Sequence, residues 1–347
     1  MTPPDAPAVP HLVVRPQWLA LREEEALEPG LPIIDAHHHL WDHEGARYFL
    51  EDLLADTGAG HDIRATVAVE CKALYRTDGP VALRPLGETE FLVDAAARSA
   101  GDGRCQVAAA IVGHADLCLG AAVRPVLEAQ VRAGAGRLRG IRYSAVWHPD
   151  PAARGSLARP APYVMADPAF RAGFAELAPL GLSFDAWVYH TQLPELASLA
   201  RQFPGTTLVL NHVGGVLGIG PYAGHREAVR REWTASLREL ADCSNVCVKL
   251  GGLGMRLFGF DFADRALPPG SQELAQAWRP YIETCIELFG PQRCMFESNF
   301  PVDKGCCSYV VLWNAFKRIT AGASAADKQA LYSGTAARVY RLAPPDA

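Results

Sequence analysis

The chain has 347 residues, 49% hydrophobic and 20% charged, with a formal net charge of −5 at pH 7. That length suits one large α/β barrel as well as two average domains. The slightly acidic balance, with no Lys/Arg stripe, argues against a nucleic-acid partner, and no run of 18 or more apolar residues marks a membrane span.

Residues 1–30 start with a Pro- and Ala-rich stretch that lacks the basic-then-apolar order of a secretory leader. They read as an N-terminal arm laid on a single domain over 31–345. Eight short β-branched or apolar runs follow, at 31–35, 65–71, 107–113, 138–144, 182–188, 206–212, 246–251 and 294–300. Several are continuously apolar, as strands buried on both faces are. Helical periodicity lies at 88–100, 116–133, 167–180, 193–202, 226–242, 271–289 and 309–319. Asp167 before Pro168 has the form of an N-cap, and Ser324 with Asp327 that of a capping box. Alternating strands and helices of this number predict a (β/α)8 TIM barrel. The long irregular stretches 145–166 and 252–270, after strands four and seven, are candidate covers for a substrate or contacts between subunits. The nine cysteines form no C-x-x-C pair. They fit reduced, buried thiols of a cytoplasmic protein, and the adjacent Cys306 and Cys307 read as packing residues.

The strongest chemical signal is Ile33-Ile34-Asp35-Ala36-His37-His38-His39. In extended chain, residues i and i+2 share a side, so His37 and His39 face one way together and form half a site for a divalent cation. Glu70, at the end of the second strand, is costly to bury unless it binds metal or pairs with a base. Arg142, in Gly140-Ile141-Arg142, is either a clamp for a carboxylate or carbonyl oxygen or the ion-pair partner of Glu70. His190, Asn211-His212-Val213-Gly214, Lys249 and Glu297-Ser298-Asn299-Phe300-Pro301 stand at the ends of the later strands. Polar residues gathered at one end of nearly every strand make a joint signal stronger than any one of them.

These motifs resemble the amidohydrolase superfamily, and more narrowly its amidohydrolase-2 branch, which includes lactonases. The resemblance spans about 31–340. It implies His37, His39 and His190 as metal ligands, for zinc or manganese, with His212 beside the attacked carbonyl. Asn299 stands where the superfamily usually has an aspartate that serves as ligand and base. An amide brings no charge and takes no proton at neutral pH, so the carboxylate must come from Glu70 or Asp303, if metal is needed at all. Asp303 otherwise reads as a helix cap or a loop ion-pair residue.

The resulting expectation is a hydrolase acting on a lactone or related cyclic ester or amide. Arg142 and Lys249 would position the substrate, and Tyr75 and Trp147 would line its entrance. The partner is a small molecule; oligomeric state is open. Two other classes share these residues: a non-oxidative decarboxylase of aromatic or enoic acids, and a non-catalytic binding barrel.

Overall fold

A computed structural model describes residues 11–43, 46–101, 105–156 and 158–343; the first ten residues of the arm therefore lie outside the described residues. The barrel strands are β1 Ile33–His38, β2 Ile63–Val69, β3 Gln106–Gly113, β4 Leu138–Ser144, β5 Ser183–Trp187, β6 Leu208–Leu210, β7 Val246–Leu250 and β8 Cys294–Phe296. They form one eight-stranded sheet in chain order, and every adjacent pair is parallel. Helices cross between them, giving a (β/α)8 barrel.

Closure comes from the segment just after β8. His38 bridges Phe300, Asn299 N donates to His37 O at 2.8 Å, and His39 N donates to Phe300 O at 2.7 Å. The regular strand stops at Phe296 rather than Phe300 because Ser298 N leaves the ladder for Asp35 Oδ1 at 2.8 Å. Tyr309 holds the other oxygen of Asp35 from outside, its hydroxyl donating at 2.8 Å. Burial pushes the Asp35 carboxyl up to about 6.

Alternate residues point inward. Ile34, Ala36, Val67, Val69, Val112, Val209, Cys247 and Met295 pack together inside the barrel, as the period of two requires. The helix Thr335–Tyr340 plugs the lower end and adds Ala336, Val339 and Tyr340 to this cluster. A second, larger core lies between the strands and the outer helices.

Two expected helices are interrupted for clear reasons. In 116–133, Gly120 takes φ +63° and the α-helix proper is Arg124–Ala133. In 167–180 the α-helix ends at Phe174, short of Pro179, whose ring blocks continuation. Asp167 does cap it, accepting from Ala169 N at 2.7 Å. Ser324 likewise accepts from Asp327 N at 3.1 Å.

The loops after β4 and β7 meet over the C-terminal ends of the strands. A Cβ on Gly155 would lie 2.7 Å from Leu257 Cβ, so glycine there lets one loop seat on the other. Gly218, from the loop after β6, donates to Leu257 O at 2.7 Å. None of the described helices is long and apolar enough to cross a membrane.

Candidate active site

Glu297, one residue past β8, is the hub. It is fully buried. Its Oε1 accepts from His212 Nδ1 at 2.7 Å and from His212 N at 3.2 Å. Its Oε2 lies 2.9 Å from His37 Nδ1 but out of line with any donor, so this buried oxygen has no aligned hydrogen bond. The carboxylate thus holds the His212 proton on Nδ1 and leaves Nε2 with its lone pair.

His212 sits in a strained turn. His212 and Val213 take φ +54° and +48°, a left-handed conformation that costs about 1–3 kcal/mol per non-glycine residue and is tolerated where surroundings enforce it. Gly252 makes room for the ring: a Cβ there would meet His212 Nδ1 at 2.5 Å. The indole of Trp187 abuts the ring edge-on, with centroids 4.8 Å apart.

His37 and His39 come from the end of β1, as expected from their spacing. Their Nε2 atoms face each other at 3.1 Å. His39 Nδ1 donates to Val69 O at 2.7 Å, which leaves its Nε2 as an acceptor. Burial, with the nearby cations Lys249 and Arg142, holds His37 well below its ordinary pKa, and burial with Arg142 does the same for His39. Both rings are therefore neutral near pH 7. His38 turns away to Thr66 Oγ1, at 2.9 Å from its Nε2.

The two cations of the interior are matched. Arg142 Nε donates to Glu70 Oε1 at 2.9 Å, and Arg142 also bonds the carbonyl of Glu70. Burial opposes ionisation of Glu70, but Arg142 outweighs it and holds that carboxyl below its usual value. Tyr75 OH donates to Glu70 Oε2 at 3.4 Å. Lys249 is fully buried and donates to Asp185 Oδ2 at 2.7 Å. Asp185 also receives Asn211 Nδ2 and Tyr340 OH, each at 3.1 Å. Among the described residues Glu297 alone in this group has imidazoles, not a Lys or Arg, as partners.

Asn299 and Asp303 form a unit. Asn299 Nδ2 donates to Asp303 Oδ1 at 2.8 Å, and Gly254 N donates to Asp303 Oδ2 at 2.9 Å. Burial, with repulsion from Glu297, pushes Asp303 up to about 7 against these bonds. Asp303 is not the cap of the following helix; Ser308 is.

His190 stands apart from this group. Its Nδ1 accepts from Leu217 N at 3.2 Å, and its buried Nε2 has no partner. Burial, then His148, lowers it to about 4. Trp147 lies further out, its ring 5.4 Å from that of Tyr163 and its N bonded to Gln192 Oε1 at 3.0 Å. His114 Nδ1 is 3.1 Å from Arg142 O.

A divalent cation fits this chemistry. Two ligand nitrogens on a tetrahedral zinc are about 3.3 Å apart for Zn–N near 2.0–2.1 Å, close to the His37–His39 spacing. The buried Glu297 oxygen that lacks an aligned donor lies at the other edge of the His37 ring, 2.9 Å from Nδ1. Among the described residues, ligand atoms of His37, His212 and Glu297 also fall within 4.8 Å of one another. In that trio His212 Nδ1 serves the carboxylate and leaves its Nε2 for a ligand or a proton, whereas His37 Nδ1 lies 3.3 Å from Lys249 Nζ and its Nε2 lies 3.1 Å from His39 Nε2 and 3.5 Å from Arg142 Nη1.

Glu297 and Asp185 escape the motif reading. Asp185 had a signal: a carboxylate inside the apolar run 182–188 demands a buried partner. Glu297 stood in the motif, overshadowed by Asn299 two residues on.

Comparison with known proteins places this geometry. The family model described as Amidohydrolase matches residues 34–342. An uncharacterised protein of Sinorhizobium fredii is 35% identical over 326 residues, covering 90% of this chain and 99% of that protein. An L-fucono-1,5-lactonase of Burkholderia multivorans is 28% identical over 327 residues, covering 90% and 97%. An amidohydrolase of Burkholderia multivorans, solved with bound HEPES and with bound zinc, has a TM-score of 0.68 at 27% identity, covering 90% of this chain and 99% of that one.

Proposed function

Because this chain belongs to the amidohydrolase family, we propose that it is a hydrolase that opens a lactone, or a related cyclic ester or amide, with water at the barrel mouth. The observation that carries this reading is the His212–Glu297 pair, 2.7 Å apart and buried beside His37 and His39. A carboxylate that fixes an imidazole tautomer creates a general base with a defined lone pair.

In this reading His212 Nε2 takes a proton from water as the water oxygen bonds to the carbonyl carbon. The tetrahedral intermediate then collapses. The ring C–O bond breaks, and the proton on His212 passes to the departing oxygen. Glu297 stabilises the imidazolium in between, keeping the ring aimed. Asn299, its amide N–H engaged by Asp303, offers its Oδ1 as a neutral acceptor for the water. Arg142 and Lys249 act through their fixed charges rather than as free clamps, since Glu70 and Asp185 hold them. A zinc or manganese ion held by His37 and His39 would supply Lewis-acid polarisation of the carbonyl. His190, next to Tyr222 and Leu217, joins the substrate side of the mouth.

The relatives named L-fucono-1,5-lactonase support sugar lactones as the first substrates to test. Acid release, followed with a pH indicator in weak buffer, is expected from at least one sugar lactone, L-fucono-1,5-lactone included. No acid release across the panel, with and without added zinc, would overturn the proposal.

A further inference from the structure

The segment before β1 is tied to the rim of the barrel. Arg15 Nη2 donates to Ala263 O at 2.5 Å, Trp18 Nε1 to Arg265 O at 3.1 Å, and Arg22 Nε to Pro268 O at 3.3 Å. All three acceptors lie in the loop after β7. Further along, Ser271 N donates to Glu24 Oε1 at 2.7 Å, and Leu27 N to Asn314 Oδ1 at 2.7 Å. The segment is therefore stitched over most of its described length.

Its upstream end reaches the site. Leu12 lies against Gly305, where an added Cβ would come within 2.3 Å of Leu12 Cβ. Any larger residue at 305 would push this end away. The ring of His11 stacks on Trp41, with centroids 5.5 Å apart and planes 24° apart. Trp41 in turn stacks on His39, at 5.9 Å and 9°. Trp41 is buried. Burial, then the neighbouring His43 and Arg142, hold His11 down to about 4, so the ring stacks as a neutral aromatic. Among the described residues the His11 ring nitrogens have no hydrogen-bond partner, and the ring stacks on Trp41.

We infer that His11 is a positioning residue of the active site: the stitched arm holds it against Trp41, and Trp41 fixes the plane of His39. One constraint on His39 is the bond from Nδ1 to Val69 O. That bond and the 3.1 Å contact of Nε2 with His37 Nε2 hold the ring at its edges and leave its faces to be fixed by packing. The parallel indole packs one of those faces and so resists tilt of Nε2 away from His37. The inference rests on His39 belonging to the working site.

Histidine-selective 15N NMR of the full chain tests it, with the His39 signals assigned by their loss in His39→Gln. In His11→Ala the His39 Nδ1–H exchanges with solvent about tenfold faster, because local opening becomes easier, and its ring shifts move. His11→Gln, which keeps a polar side chain without an aromatic face, behaves the same way. His11→Phe restores wild-type exchange to within about twofold, since stacking is what it retains. Unchanged His39 exchange and shifts in His11→Ala or His11→Gln overturn the inference, as does failure of His11→Phe to restore them. A wild type without lactone turnover would sink the proposed reaction and leave this readout unaffected.

Discussion

His37 Nε2 and His39 Nε2 face each other at 3.1 Å, with no other acceptor between them to share a proton. Without metal, His37 Nε2 donates to His39 Nε2, whose own proton sits on Nδ1 against Val69 O; a cation held by both would take the place of that shared proton. Added zinc should therefore displace a proton and bind there. Metal titration against a chromophoric chelator is expected to give one equivalent in the wild type, and at least about tenfold weaker binding in His37→Ala. Equal affinity in the two proteins would place the metal elsewhere.

Gly252 should be intolerant of a side chain. A Cβ would meet His212 Nδ1 at 2.5 Å and Cγ at 2.6 Å, at φ +70°. Gly252→Ala must move the imidazole or its loop. We expect turnover to fall by more than about tenfold, a misplacement effect that near-attack geometry makes steep. A variant with wild-type kcat would show that the ring has freedom the packing denies it.

Glu88 carries a pH signature. It is buried, receives Cys71 N at 2.8 Å and Ala73 N at 3.2 Å, and its Oε2 has no partner. Burial, then Glu70, raises its pKa to about 8. The folded state therefore binds a proton that the unfolded chain releases near 4.5. Stability from this group is complete below pH 4.5 and falls as pH rises toward 8. Glu88→Gln removes that loss. Its melting temperature relative to wild type should climb between pH 5 and pH 8; a difference constant with pH would contradict the assignment.

Asn299→Asp would place a second carboxylate 2.8 Å from Asp303. Like charges so close cannot both ionise freely. The metal-free variant should melt lower at pH 8 than at pH 6 by more than wild type does, and zinc should recover the loss. Melting curves unchanged by the substitution would mean Asp303 keeps its proton throughout.

Substrate charge follows from the paired cations. Arg142 and Lys249 are engaged by Glu70 and Asp185 at 2.9 and 2.7 Å. Freeing either from a buried carboxylate is expensive. Neutral lactones should be turned over in preference to aromatic carboxylates, with no carbon dioxide release from the latter. Decarboxylation of an aromatic acid would contradict this.

The barrel was legible because its strands are continuous apolar runs between amphipathic helices. Among the strands only ends moved: β8 stops at Phe296 since Asp35 draws Ser298 N out of the ladder. His37 and His39 were legible through their spacing on one strand. What stayed hidden depends on pairing across the barrel. The Glu70–Arg142 pair was one of the two readings open for Arg142, whereas Asp185 and Lys249 are 64 positions apart and nothing local says that Lys249 is already taken. Glu297 was hidden differently. Its role comes from reaching both His37 and His212, and a motif shows neither reach. The separation of His190 from the His37–His212–Glu297 group is likewise a matter of three-dimensional placement.

The most direct test of the account is steady-state lactone hydrolysis by wild type, His212→Gln and Glu297→Gln, each verified as folded. If His212 is the base and Glu297 holds its tautomer, kcat falls by about 10²–10⁴-fold in His212→Gln, and in Glu297→Gln by a smaller factor. Turnover within about twofold of wild type in His212→Gln would contradict it.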